Sequence, residues 1–207
     1  MRNEVVRKGV SRIIVAQFLT IATLIFEAGL LGVAYFADRH IGDPSIEVSS
    51  AKSFFLLLAA MCITDFTGLI IYISGVRKAS KEEPKFKSAI KFIVLSIVFS
   101  FLKILIFKTP FYYLSTVLSL GMDYLAIVCI IDALSFALDN DPGSIGSING
   151  VSVVIKICYI ATAVLAVVRG IFSGSDSIIL TIVVDLIVNL LQIIATITFI
   201  TQLRQAE

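Results

Sequence analysis

The sequence predicts an all-α integral membrane protein, a single transmembrane domain of six helices over residues 1–207. Hydrophobic residues make up 58% of the chain and charged residues only 15%, whereas a soluble domain has about 45–50% apolar and about 25% charged residues. The apolar residues form continuous runs, unlike the alternating pattern of a transmembrane β-barrel. Each run has close to the roughly 20 residues that a helix needs to cross a bilayer.

Six such runs follow one another along the chain. The first comes after a basic segment and exceeds the roughly 7–15 apolar residues of a signal peptide, so we interpret it as a retained span. The segments between runs contain Pro44, Pro84 and Pro110, and proline favours a helix end. The predicted spans are residues 13–36, 53–76, 88–107, 111–138, 151–172 and 177–203.

Lysine and arginine are distributed unevenly among the segments that connect the spans. They concentrate before the first span and in residues 77–91, and short segments rich in these residues stay in the cytoplasm. Both termini are therefore expected in the cytoplasm, in a multi-pass protein of the cell membrane. Residues 139–150 are the exception, because they should be cytoplasmic and contain no lysine or arginine.

The spans pair naturally as three helical hairpins, and the second helix of each hairpin contains an aspartate. These residues, Asp65, Asp123 and Asp185, are separated by similar lengths of chain, which is compatible with three pseudo-repeats. Residue identity around the three aspartates is almost absent, so coincidence is the alternative interpretation.

Polar residues inside the spans are the main candidates for a functional site. A charge at mid-bilayer costs about 2.5–3.5 kcal/mol on insertion scales, so it usually faces the interior of a bundle. The last span has polar residues on one helical face, because they recur every three or four positions. The candidate ligands for a cation or a cationic solute are Glu27, Asp65, Asp123, Asp185, Asn189 and Gln192.

Two lysines within the spans, Lys103 and Lys156, are candidates for ion pairs with these acids. Lys103 is expected at the membrane depth of Glu27 or Asp185, whereas Lys156 lies nearer the opposite surface. Arg169, close to the end of its span, is expected to extend toward interfacial water. Four acids against two lysines leave an acidic surplus, which favours a hydrated cavity over purely structural pairing.

The sequence has no recognised catalytic motif, so it predicts a protein that is not an enzyme and has no cofactor. The three cysteines lack the spacing of a zinc or redox site, and the identity of any bound metal stays open. A net charge of +2 gives no sign of a nucleic-acid partner. The leading hypothesis is a small transporter or channel for a cation or cationic solute, surrounded by the lipid bilayer. Its narrow bundle suggests a homo-oligomer or association with other membrane subunits.

The alternative hypothesis is a non-transporting accessory, assembly or signalling subunit of a membrane complex. Such a subunit would bind the helices of its partner through its polar stripe. The direction of the stripe on the last helix separates the two hypotheses, because an outward stripe favours the accessory subunit.

Overall fold

A computed structural model describes residues 2–41, 44–106, 111–139, 150–171 and 178–205. Within these ranges the chain is helical apart from short turns. The six helices are α1 (Arg2–Arg39), α2 (Pro44–Ala79), α3 (Phe86–Leu105), α4 (Phe111–Asp139), α5 (Val153–Ile171) and α6 (Ile178–Arg204). The predicted all-α class and the six predicted helices are confirmed over the described residues.

Two of the helices extend well beyond the apolar runs that predict them. α2 begins at Pro44, and proline suits the first position of a helix because the N–H that it lacks would have no partner there. α1 begins at Arg2, so the basic segment before residue 13 continues the helix. Hydropathy indicates where the apolar part of a helix ends. The helix itself continues until a residue interrupts its backbone hydrogen bonds, so it can extend into polar sequence.

The breaks between the later helices are only partly described. Pro84 lies in the turn between α2 and α3, as predicted. The predicted breaks at residues 108–110 and 173–176 lie outside the described residues, as does most of 139–150.

Consecutive helices pack as three antiparallel hairpins. Between α1 and α2, the Arg12 guanidinium donates to the Ser74 hydroxyl over 2.7 Å, and the hydroxyls of Thr23 and Thr64 are 2.9 Å apart. Residue numbers rise along α1 as they fall along α2, which establishes the antiparallel direction. Hydrogen bonds also cross the other two hairpins, at Ser115–Phe99 and Ser152–Gln202. The hairpins match the expected pairing of the spans, while a repeat in the sequence itself stays a prediction.

The three hairpins close into a ring. α2 contacts α3, α4 contacts α5, and α6 returns to contact α1. Each helix therefore packs mainly against its neighbours in chain order, and the middle of the ring is available for side chains from several helices.

The hydrophobic core occupies one end of the ring, the end that holds both termini. It is formed by the first turns of α1, α3 and α5 and the last turns of α2, α4 and α6. Fully buried side chains in this region include Ile13, Val76, Phe86, Ile130 and Phe199. We call this region the closed end. The opposite half is the open end, where α1 after Leu24 and α2 before Gly68 contribute no buried residue in the described part of the chain.

At the closed end, α1 and α2 approach each other to backbone contact. A Cβ atom on Gly75 would lie 2.8 Å from the carbonyl oxygen of Gly9, and a Cβ on Gly9 would lie 2.8 Å from that of Gly75. Only glycine permits this separation, so the two glycines fix the distance between the helices.

By length and composition, four helices in the described residues can cross a membrane, namely α1, α2, α4 and α6. At about 1.5 Å per residue, α1 is about 57 Å long, which exceeds the roughly 30 Å hydrocarbon core of a bilayer. α2 exposes a series of large apolar side chains, including Phe54, Phe55, Leu56, Ile63, Phe66 and Ile70.

Candidate functional site

Two polar cavities lie between the helices, on the open side of the hydrophobic core. The inner cavity has a volume of about 240 Å³ and is lined by residues of α1, α2, α4, α5 and α6. It adjoins the closed end, because Ile127 belongs both to its lining and to the core. Its polar lining consists of Gln17, Thr20, Thr64, Asp65, Tyr72, Asp123, Tyr159, Gln192 and Thr196.

The outer cavity lies further toward the open end, between α3, α4, α5 and α6. Its volume is about 210 Å³. Both cavities exceed the roughly 150 Å³ of an engineered apolar cavity that takes up benzene. The ionisable and hydroxyl side chains that line the outer cavity are Ser100, Lys103, Tyr112, Tyr113, Thr116, Ser119, Asp123, Thr162, Arg169 and Asp185.

The two cavities share part of their walls. Leu120, Asp123 and Gln192 line both of them. The two cavities therefore adjoin at these side chains, and Asp123 occupies a central position in the site.

The inner cavity brings together two carboxylates that lie far apart in the sequence. Asp65 comes from α2 and Asp123 from α4. Asp123 is within electrostatic range of Asp65 and within hydrogen-bonding reach of the Ser96 hydroxyl. Neither aspartate forms an ion pair with the described residues. The described lining of this cavity includes no lysine, arginine or histidine, so the nearest positive charge to Asp123 is that of Lys103 in the other cavity.

The outer cavity contains charges of both signs. Arg169 on α5 donates through Nη1 to Oδ1 of Asp185 on α6, and the two form an ion pair. The side chain of Asp185 is only 17% exposed, so this partner offsets much of the cost of burying its charge. Lys103 on α3 also lines the cavity and is within electrostatic range of Asp123 and Glu27. It forms no ion pair with the residues that the structure describes.

The polar stripe on α6 faces the interior of the ring. Asp185 lines the outer cavity, Gln192 lines both cavities and Thr196 lines the inner one. Asn189 is only 4% exposed, and its amide nitrogen has no hydrogen-bond partner among the described residues. Asn189 does not belong to the lining of either cavity.

Besides Asn189, two of the residues selected from the sequence lie outside both cavities. Glu27 is exposed on α1, although Asp185, Lys103 and Arg169 are all within electrostatic range of it. Lys156 is exposed on α5. Lys103 and Glu27, which were predicted to lie at the same membrane depth, are therefore near each other but form no ion pair among the described residues.

No protein-family model, curated protein or solved structure matches this chain. The chemistry of the site is therefore argued from its own residues.

Several lining residues were not selected by sequence reasoning. Tyr72 and Tyr159 are aromatic residues within apolar runs, which resemble core positions, and Thr64 resembles a neutral helix residue. Arg169 looked interfacial because it lies near a span end. Its partner could have been found by depth, since Arg169 and Asp185 lie equally far along the chain from residue 177.

The inner cavity is suited to binding a cation with hydrogen-bond donors. Carboxylate, hydroxyl and amide oxygens can accept hydrogen bonds from an ammonium group, and a charged donor makes these bonds stronger. The rings of Tyr72 and Tyr159 also line the cavity, and aromatic faces attract cations. Among the described residues, no group of three or more histidine, cysteine, aspartate or glutamate side chains is arranged to hold a metal ion.

Proposed function

We propose that this protein is a multi-pass membrane transporter for a cationic solute, which binds in the inner cavity between Asp65 and Asp123. One observation carries the proposal. Two carboxylates without ion-pair partners, contributed by different helices, line a single polar cavity whose described lining has no basic residue. A bound cation would stabilise this negative surplus, which combines the partly buried Asp123 with the more exposed Asp65.

The proposal places all six helices in the bilayer with both termini in the cytoplasm. The length and composition of α1, α2, α4 and α6 support insertion. The exposed phenylalanines and isoleucines of α2 support it too, since soluble monomers rarely expose large apolar patches. The cluster of basic residues at 77–91 supports the orientation.

A transporter fits the site better than an open channel does. The fully buried side chains of Phe86, Ile130 and Phe199 fill the closed end, beneath the inner cavity. A solute that enters from the open end would therefore meet a packed apolar barrier. Release on the other side requires a second conformation, as in alternating access.

The accessory-subunit hypothesis receives less support. It requires the polar face of α6 to point outward along one flank, toward a partner helix. Asp185 and Gln192 instead line the cavities, and Asn189 is buried. Assembly into an oligomer, or with other membrane subunits, stays part of our proposal because six helices alone enclose only these narrow spaces.

The test is transport by the purified protein reconstituted into liposomes. Fluxes of Na⁺, K⁺ and protons and uptake of radiolabelled organic cations are compared with those of the Asp65→Asn and Asp123→Asn variants. Each variant keeps the shape of the side chain but removes the charge, so we expect uptake to fall roughly tenfold to hundredfold, as for a lost charged hydrogen bond.

Asp132→Asn is the matched control, because Asp132 is exposed on the same helix as Asp123 and lines neither cavity. This control should transport like the wild type. Absence of flux for every cation in folded wild-type protein would contradict the proposal, and so would equal losses in the control and the cavity variants.

A further inference from the structure

From the outer to the inner cavity, the charged residues without an ion-pair partner follow one another as one lysine and two aspartates. This order indicates which charged groups a ligand would carry. We infer that the solute is a cationic amino acid, whose carboxylate binds Lys103 in the outer cavity and whose two ammonium or guanidinium groups bind Asp123 and Asp65. This inference rests on the proposed function, because it names the class of solute for the same site.

The balance of charge in the cavities gives the first argument. Arg169 and Asp185 neutralise each other in their ion pair. The remaining charged residues of the two described linings are Lys103, Asp123 and Asp65, one positive and two negative. A ligand that complements them has one negative and two positive groups, which is the charge pattern of lysine, ornithine or arginine.

The order of the three residues gives the second argument. Lys103 lines only the outer cavity, Asp65 lines only the inner cavity, and Asp123 lines both. Asp123 is within electrostatic range of the other two. In a cationic amino acid, the carboxylate and the α-ammonium group are adjacent and the second cation is at the far end of the side chain. The ligand therefore presents its charges in the same order as the cavities.

The neutral lining agrees with this placement. The hydroxyl of Ser100 lies in the outer cavity with Lys103 and can rotate to donate to a carboxylate, whereas the buried Ser119 hydroxyl, 2.9 Å away, already donates to the Ser96 carbonyl oxygen. Tyr72 and Tyr159 lie in the inner cavity with Asp65, where their rings can contact the distal cation. A bare inorganic cation would gain nothing from Lys103 and would be repelled by it.

The experiment compares three amino acids with the amines that lack only the carboxylate. The pairs are L-lysine and cadaverine, L-ornithine and putrescine, and L-arginine and agmatine. Binding to the full-length protein in nanodiscs is measured by calorimetry. For at least one pair, the wild type should prefer the amino acid roughly tenfold or more, the value of one charge-assisted hydrogen bond.

Variants locate the source of this preference. Lys103→Gln should abolish the preference: the affinity for the amino acid should fall, because its carboxylate loses its partner, while the affinity for the amine should rise, because a repelling charge is removed. Lys156→Gln, which changes an exposed lysine outside both cavities, should bind like the wild type. Asp65→Asn should weaken both members of a pair. Helix content and elution profile establish that each variant is folded.

The outcomes separate this inference from the proposed function. Equal binding of amino acid and amine by the wild type overturns the inference, and so does a Lys103→Gln variant that loses both ligands equally. Asp65-dependent binding of the amine would still uphold a transporter of cationic solutes in either case. If the folded wild type binds none of the six compounds, the inference is overturned, and the ion-flux assay decides the proposed function separately.

Discussion

The closed and open ends of the helix ring differ in what fills the space between the helices. At the closed end, apolar side chains such as Ile130 and Phe199 are fully buried, and Gly9 and Gly75 bring two backbones into contact. Toward the open end, hydroxyl, amide and charged groups line the cavities between the helices. One end is organised by packing and the other by polar complementarity.

If the ring lies in a bilayer, as we propose, this difference has a physical reason. Lipid tails are as apolar as leucine, so helices associate through close packing and hydrogen bonds instead of a hydrophobic driving force. A region of tight packing can hold the ring together, which allows the other end to remain open around polar groups. The closed end is thus the most closely packed part of the ring and adjoins the site.

The largest expected effect comes from removing a side chain that fills the closed end. Phe199→Ala should lower the free energy of unfolding by about 3 kcal/mol, because the surrounding helices cannot collapse into the cavity left behind. The measurement is unfolding in increasing sodium dodecyl sulfate, followed by circular dichroism. Phe55→Ala, at a 68% exposed position near the open end, should change stability much less. Equal losses at both positions would contradict the distinction between the ends.

A smaller effect is expected where the closed end depends on backbone contact. Gly75→Ala adds a methyl group 2.8 Å from the Gly9 carbonyl oxygen and forces α1 away from α2. We expect a loss of about 2 kcal/mol, within the usual range for overpacking. Gly32→Ala is the control near the open end, since nothing lies within 4 Å of its added Cβ. It should be neutral or slightly stabilising, and an equal loss there would indicate that a glycine-to-alanine change destabilises these helices whether or not the backbones are in contact.

The sequence predicts the helices well because continuous hydropathy is a local property. All six apolar runs correspond to helices. The starts of α1 at Arg2 and α2 at Pro44 could not be read from hydropathy, which reports the surrounding medium and not the hydrogen bonding of the backbone. The sequence also does not predict that the hydrophobic core lies at one end of the ring, because this depends on which turns of the six helices contact one another.

The sequence identifies charges in the site more readily than its neutral lining. Asp65, Asp123 and Asp185 are conspicuous because charge is rare within apolar runs, and the structure brings all three to the two cavities. Glu27 satisfies the same criterion and lies outside them. Glu27 lies on the same face of α1 as Gln17, Thr20 and Leu24 but one turn nearer the open end, so its depth along the helix decides this difference, and a single charge on an apolar helix does not specify that depth. Tyr72 and Tyr159 give no comparable signal, because aromatic residues suit core, lipid and cavity equally.

The smallest of these effects tests whether charge neutralisation organises the open end. Arg169→Met leaves Asp185 without its partner, and we expect a loss of about 1 kcal/mol. This expected loss of stability lies between the losses typical of surface and of buried ion pairs, because the Arg169 side chain is 36% exposed and that of Asp185 is 17% exposed. Lys156→Met on the same helix is the control, and its exposed side chain should contribute little.

The double variant Arg169→Met/Asp185→Leu then decides between charge and packing. If the penalty arises from an unpaired carboxylate, removing that carboxylate should restore most of the lost stability. If the Arg169 side chain contributes through packing, the double variant should be at least as unstable as the single one. Recovery would mean that stability lost at the open end is restored when the unpaired charge is removed. The loss caused by Phe199→Ala arises from a cavity, so no change of charge should restore it.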